Sequence, residues 1–305
     1  MKQAKIGIIG GTGLGQVLAE CGEGESVSVD TPFGPPSSQP MLVNWEGVDV
    51  AFIARHGPGH RFNPSSVPYR ANIWAMKKLG VTAILASGAT GSLREEIAPG
   101  HLVLCDQVID KTYGRRTTFF DEGLVVHVEF AEPFCPMLRS LLVETGESVE
   151  TTVHPTGTYV CMEGPQFSTR AESRMHRQWG GDLIGMTCLP EARLAREAEI
   201  CYALIALPTD YDCWRPHDPS QAQDELLREI LGNLKQATDN AIALMRKAVK
   251  RLAATAPSKT GAGGCRCRDA LKLAIWSEPG KIDPAVRKRL GLLINHRIPD
   301  SGGSD

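Results

Sequence analysis

Short runs rich in β-branched and other apolar residues recur along this chain, and amphipathic stretches separate them. No other feature constrains the fold as strongly. A continuous apolar run of strand length is buried on both faces, and helices between successive strands are what cover those faces. Strands are predicted at 5–9, 48–54, 81–87, 102–108, 157–162, 183–186 and 202–207, and helices at 66–79, 137–147, 168–179 and 190–199. The longest helix is predicted over 223–253. There Leu227, Ile230, Leu231, Leu234, Ala237 and Ala241 recur at three- and four-residue spacings and mark a buried stripe. Lys247, Lys250 and Arg251 complement the macrodipole near its end. The fold class is therefore α/β, a single domain over 1–254 with a central, largely parallel or mixed β-sheet flanked by helices.

Beyond this domain, 255–264 (TAPSKTGAGG) reads as a flexible linker. A short helical C-terminal appendage follows over 265–298, with helices expected at 267–276 and 284–293, and 299–305 reads as a polar, disordered tail. No internal repeat is visible.

Thirty-three Lys and Arg face 35 Asp and Glu, a formal net charge of −2. That balance offers no electrostatic footprint for nucleic acid or an anionic membrane surface, so a small molecule or another protein chain is the expected partner. No stretch approaches the roughly 18 apolar residues of a bilayer span, and the opening apolar run is too short for a secretory leader. The chain is expected in the cytoplasm. Nine cysteines, several inside apolar runs, fit reduced thiols in that compartment. Cys265-Arg266-Cys267 is the exception. Metal frameworks usually show two spaced pairs or nearby histidines, and with neither in view the pair reads as structural rather than as a metal site or redox switch.

Six turns at the ends of predicted strands carry chemistry. Gly10-Gly11-Thr12-Gly13-Leu14-Gly15 follows the first strand. Its glycines allow close backbone approach to an anion, and the Thr12 hydroxyl can donate. A dinucleotide fingerprint would need a third glycine where Gln16 stands. An ordinary tight turn also fits. Ala54-Arg55-His56-Gly57 places a planar cationic fork and a titratable ring after the second strand, although a solvated basic loop would look the same. Ser87–Leu93 (SGATGSL) is a third turn, rich in small and hydroxyl residues. Glu163 and Phe167 share a fourth, and Met186 and Thr187 close a fifth. Asp210 and Asp212 stand two residues apart in the sixth. Any one could be a satisfied turn. All six at the carboxyl ends of strands, where α/β proteins form their sites, are harder to dismiss.

The residues GGTG at 10–13, DTPFG at 30–34, ARHG at 54–57, GSLREE at 91–96, AEPFCP at 131–136, EGPQFS at 163–168 and PTDYDCW at 208–214 resemble the methylthioadenosine phosphorylase branch of the purine nucleoside phosphorylase family. The likeness runs in order from residue 5 to about 250 and implies a phosphorylase-like domain. It implies a phosphate site from Thr12, Arg55, His56, Ala89 and Thr187. Met186 would lie under the ribose and Phe167 against the base, and Thr209, Asp210 and Asp212 would face the purine. Asp210 would be the acid that protonates N7, with Asp212 beside it. His127 resembles a residue projected into a neighbouring subunit's site, which implies a homotrimer or homohexamer. No organic cofactor or metal is implied, inorganic phosphate being a co-substrate of the nucleoside.

Two departures stand out. Gly88 occupies a place where close relatives often carry a hydroxyl. Gln223 falls where relatives tend to place a small apolar residue beside the methylthio group, so a 5'-hydroxyl is the alternative preference. Ser220 and Gln223 also fit a capping box opening the long helix. The competing functions are a phosphorylase for adenosine, inosine or guanosine, a nucleotide-dependent oxidoreductase, and a nucleoside-binding module without turnover.

Overall fold

A computed structural model describes residues 4–11, 24–215, 223–254 and 265–298. Within them eleven strands form one mixed sheet. Strands β1 (Ile6–Gly10), β4 (Val48–Ala54) and β5 (Ala83–Ser92) run parallel side by side, and β11 (Cys201–Tyr211) pairs parallel to the other edge of β5. The far half of β5 leaves β1 and pairs antiparallel with β10 (Leu183–Gly185), which continues through β9 (Thr158–Met162) to β7 (Gln107–Lys111). β5 is thus the branch on which both halves of the sheet meet.

Alternation along the strands sends side chains to opposite faces. Ile9, Ile53 and Ala86 join one core with helices α1 (Tyr69–Lys78) and α4 (Cys188–Glu197). Ile8, Phe52 and Leu85 join the other with α2 (Pro136–Gly146) and α5 (Gln223–Ala254). Burial on both faces explains why these strands read as continuous apolar runs.

Several expectations need correction. The apolar run at 102–108 is two strands, β6 (Leu102–Leu104) and β7, which lie in different parts of the sheet. The break falls at Cys105-Asp106, where Asp106 Oδ1 accepts from the Gly157 amide at 2.8 Å. Strand β3 (Met41–Trp45) was not expected from the sequence. It forms a two-residue hairpin with β4 through Glu46 and Gly47, both at positive φ. Such a turn favours Asn-Gly or Asp-Gly, and a glutamate at its first position hides the signal. β11 runs on through Thr209 and Asp210 to Tyr211, past the predicted end at 207. Helix α1 begins at Tyr69 rather than 66, since Pro68 disfavours helical geometry at Val67. Helix α3 (Arg170–Gln178) begins after Thr169, whose hydroxyl and the Glu172 carboxylate form a capping box.

The stripe of α5 is buried only in part. Ala237 and Ala241 are inaccessible, but Leu227 and Leu231, nearer the start of α5, are exposed. In the C-terminal segment, 267–276 is not a helix. A short 3-10 turn (Arg266–Asp269) gives way to further turns, after which Ile275 bridges Val126. Helix α6 (Pro284–Ile294), capped by the Asp283 carboxylate, buries Leu290, Leu293 and Ile294 in the first core. Glu199 anchors the segment, accepting from the Leu271 amide and from Arg297 at 3.0 Å each and meeting His296 Nε2 at 2.6 Å. The linker at 255–264 and the tail at 299–305 lie outside the described residues.

Candidate active site

Parallel pairing aligns the carboxyl ends of β1, β4, β5 and β11, and a cavity of about 530 Å³ opens there. The register sets what faces what. Gly10 pairs with Ala54, so Gly11 and Arg55 leave their strands together. A Cβ on Gly11 would sit 3.0 Å from the Ser87 carbonyl oxygen and 3.1 Å from Arg55 Nη1, so a larger residue would crowd both. Asp210 pairs with Gly91, after a register shift at Thr209. Bulges of this kind re-aim side chains beside active sites. Here the shift leaves Thr209, Asp210 and Asp212 all lining the cavity.

Arg55 is wholly buried and already paired. Its Nε and Nη2 donate to the two oxygens of Glu191 at 2.7 Å each, and Nη1 donates to the Ser87 carbonyl at 2.7 Å. Tyr202 adds its hydroxyl to Glu191 Oε1 at 2.8 Å. Burial disfavours the guanidinium charge, but the Glu191 carboxylate more than offsets this and holds Arg55 above its ordinary pKa. Three of its five N–H donors are spent on these contacts, and the residue is among those lining the cavity. Glu191 was not singled out in the sequence, and its position, 136 residues after Arg55, gave no local signal.

His56 Nδ1 lies 2.8 Å from the Phe62 carbonyl, and its ring stacks on His60 at 4.2 Å. Burial and the neighbouring Arg55 charge push its pKa down to about 4. The ring is therefore neutral near pH 7. The carbonyl can only accept, so Nδ1 carries the proton and Nε2 is left as an acceptor. The sequence marked a titratable ring at this position, and the geometry leaves the neutral ring an acceptor at Nε2.

Thr187 stands at the N-terminus of α4, and its side chain caps nothing in that helix. A Cβ on Gly88 would lie 3.3 Å from Thr187 Oγ1, so the threonine hydroxyl fills the room beside that glycine. Ala89 is half-buried on the same wall. Thr12 lies outside the described residues, as does the side chain of Gln223.

On the opposite side, Thr209 Oγ1 donates to Asp210 Oδ1 at 2.7 Å, and Asn233 of α5 holds the Thr209 carbonyl at 2.9 Å. Asp212 is 8% exposed, and its Oδ2 has no hydrogen-bond partner among the described residues. The Thr90 hydroxyl, also buried and lining the cavity, is likewise unpaired. Orphaned buried polar atoms are costly unless something else satisfies them. Met162, Ile184, Met186, Ile230 and Leu234 supply apolar wall, the last two from α5. Phe167 sits on the rim and is 83% exposed.

Glu163, also marked in the sequence, works behind the cavity. It accepts from the amides of Tyr113 and Gly114 at 2.8 and 3.2 Å. Its pKa falls to about 2, because these bonds and the nearby Ser65 and Arg115 side chains outweigh burial. Arg115, missed in the sequence, donates to the carbonyls of Glu163, Met186 and Leu189 at 2.5–2.6 Å, tying two site loops together. Gly164 has φ +69°, and a Cβ there would lie 2.5 Å from Met186 Sδ. His127 lies outside the cavity of its own chain, exposed, with its ring 4.7 Å from that of Trp276.

A site of this form, with a paired cation and backbone cradle facing carboxylates at strand ends, has relatives. The profile of the phosphorylase superfamily matches residues 5–250. The chain belongs to the phosphorylase superfamily. It is 48% identical over 296 residues to S-methyl-5'-thioadenosine phosphorylase from Gloeobacter violaceus, covering 96% of this chain and 95% of the relative. The protein of that name from Pyrococcus abyssi is 47% identical over 268 residues, 88% of this chain and 98% of its own length. Among solved structures, a methylthioadenosine phosphorylase from an antarctic soil metagenomic library superposes with a TM-score of 0.86 at 42% identity, covering 96% of this chain and all of that one. A mutant adenosine/methylthioadenosine phosphorylase of Schistosoma mansoni, solved with methylthioadenosine, superposes at 0.76 with 33% identity, covering 97% and 99%. The superfamily assignment spans both halves of the cavity, since Arg55 and Asp212 both fall inside the matched residues. Among the described residues of this phosphorylase, no helix is long and apolar enough to cross a membrane.

Proposed function

We propose that this chain cleaves S-methyl-5'-thioadenosine with inorganic phosphate, yielding adenine and 5-methylthioribose-1-phosphate. The observation that carries the reading is the meeting, in one cavity, of the buried Arg55 fork with the carboxylates of Asp210 and Asp212. Relatives bearing that name align along nearly the whole chain.

Phosphate sits at the end formed by Gly11, Arg55, His56, Ala89 and Thr187. Arg55 gives its two free N–H groups, and His56 Nε2 accepts from a protonated phosphate oxygen. Thr12 belongs to the same set. Holding the nucleophile there converts a bimolecular encounter into an oriented one. A phosphate oxygen bonds to the anomeric carbon as its bond to the purine N9 breaks. Arg55 offsets the phosphate charge, and the anionic phosphate stabilises the cationic character that develops on the ribose. Asp210 delivers a proton to purine N7, and Asp212 accepts from the base through its unpaired oxygen. Met186 underlies the ribose, and Phe167 folds over the base from the rim. The proposed reaction uses no metal or organic cofactor, and its place is the cytoplasm.

The assembly is a homotrimer, or two trimers together, with His127 reaching a neighbour's cavity. His127 is exposed beside Trp276 and Leu273, which are 71% and 88% exposed, as expected of residues awaiting a partner. Light scattering should return a multiple of three chains, and a fully active monomer would remove His127 from the site.

The deciding experiment measures free base released from methylthioadenosine, adenosine and inosine, with and without phosphate. Phosphate-dependent release of adenine from methylthioadenosine, with inosine cleaved poorly, is expected. Equal turnover of inosine and methylthioadenosine, or release independent of phosphate, would overturn the reading.

A further inference from the structure

Four cysteines meet at a point remote from the cavity. Cys135 stands just before α2, Cys201 opens β11, and Cys265 and Cys267 flank the start of the 3-10 turn in the C-terminal segment. Their four Sγ atoms all lie within 4.8 Å of one another. Cys135 Sγ and Cys265 Sγ approach to 3.2 Å, well beyond a disulfide bond, and all four are free thiols. Cys135, Cys201 and Cys267 are buried, and Cys265 is half-buried. The sequence showed only the Cys265-Arg266-Cys267 pair. The missing half of the framework comes from two single cysteines, 66 residues apart in the chain (201 less 135), which the sheet brings together.

We propose that Cys135, Cys201, Cys265 and Cys267 form a tetrathiolate site for a soft divalent cation of the zinc type. Four sulfurs around a zinc ion at about 2.3 Å would stand about 3.8 Å from one another, within the spread observed here. The donor set contains no carboxylate, imidazole or carbonyl, which favours zinc over magnesium or calcium. Four protein ligands close the coordination sphere, so the role is structural. On binding, four S–H bonds give way to four metal–sulfur bonds, and the displaced protons pass to solvent without any change of oxidation state.

The site would act as a staple. Two ligands belong to the sheet and its flanking helix, and two to the segment that brings Leu290, Leu293 and Ile294 into the core. The same segment holds Val126 through Ile275 and presents Trp276 to His127. Losing the ion should therefore loosen the C-terminal segment first.

The test uses the full chain, isolated with reductant and without chelator. Elemental analysis should find about one zinc per chain, and a Cys265→Ser/Cys267→Ser variant should lose it. Cobalt(II) added to chelator-stripped wild-type protein should give an intense near-ultraviolet thiolate band and the visible bands of a tetrahedral ion. Chelation should lower Tm by about 5–10 °C, restored by zinc. Should the double variant fail to fold, the wild-type cobalt spectrum decides alone. Reduced protein that stays metal-free with excess zinc and shows no cobalt–thiolate band would overturn the proposal. So would freshly isolated protein with these cysteines paired as disulfides and no metal bound.

Discussion

At one end of the cavity Arg55 is inaccessible, gripped by both oxygens of Glu191 and by the Ser87 carbonyl, with Tyr202 steadying the glutamate. At the other, Asp212 keeps an oxygen without a partner and Phe167 stands in solvent on the rim. The first end has its cation already paired, and the second keeps an orphaned oxygen. Under the proposed reaction the difference follows from what each would hold. A small multiply charged anion needs donors already fixed in direction, because water competes for it strongly. A purine has flat apolar faces and a few polar edges, which a rim aromatic and an unpaired carboxylate can meet on arrival.

The largest effect should come from the second end. Asp210→Asn removes the proposed proton donor and should lower kcat for methylthioadenosine by about 10²–10⁴-fold, while narrowing the gap to inosine. A variant retaining near wild-type kcat would show that Asp210 only positions the base.

The first end should respond in stability as well as in binding. Glu191→Gln leaves Arg55 buried beside a neutral partner and should cost about 3 kcal/mol in urea unfolding, with a raised KM for phosphate. If unfolding moved by less than about 0.5 kcal/mol, the pair would not be the framework of that end.

His56 sharpens the comparison through pH. From an ordinary 6.5, its pKa is lowered to about 4 by burial and Arg55, so the folded chain resists protonating it. A lowered pKa contributes stability that is full above the unfolded value and lost as pH falls through the folded one. NMR titration of the free enzyme should show the ring neutral at pH 6. His56→Ala should raise the KM for phosphate about five- to ten-fold, the worth of one hydrogen bond. A ring protonated at pH 6 would make it a donor after all.

The smallest effect belongs to the rim. Phe167→Ala should leave unfolding within about 0.5 kcal/mol, because the ring buries little in the free protein. It should raise the KM for nucleoside about three- to ten-fold and leave that for phosphate unchanged. A large loss of stability would mean that the ring already packs in the free enzyme.

Strand ends were where the sequence spoke most clearly. Apolar runs located β1, β4, β5 and β10, and the small and polar residues at or just past their ends included Arg55, His56, Ala89 and Thr187, which line one cavity. Strand β3 and the break between β6 and β7 were harder to see, since an unusual turn glutamate hid one and apolar residues on both sides of Asp106-Gln107 hid the other. Helix 267–276 failed because a pattern of spacings cannot register that Glu199, 72 residues earlier, would hold the Leu271 amide.

By itself the sequence determined the α/β alternation, the turn chemistry after each strand and the order of the motifs, because these depend on residues that are neighbours in the chain. The tertiary structure alone decided that Arg55 is paired with Glu191, that His56 Nδ1 is taken by the Phe62 carbonyl, and that four scattered cysteines converge. Each of those is a contact between segments that only the sheet brings together, and charge, protonation and metal affinity are properties of such contacts rather than of residues taken singly.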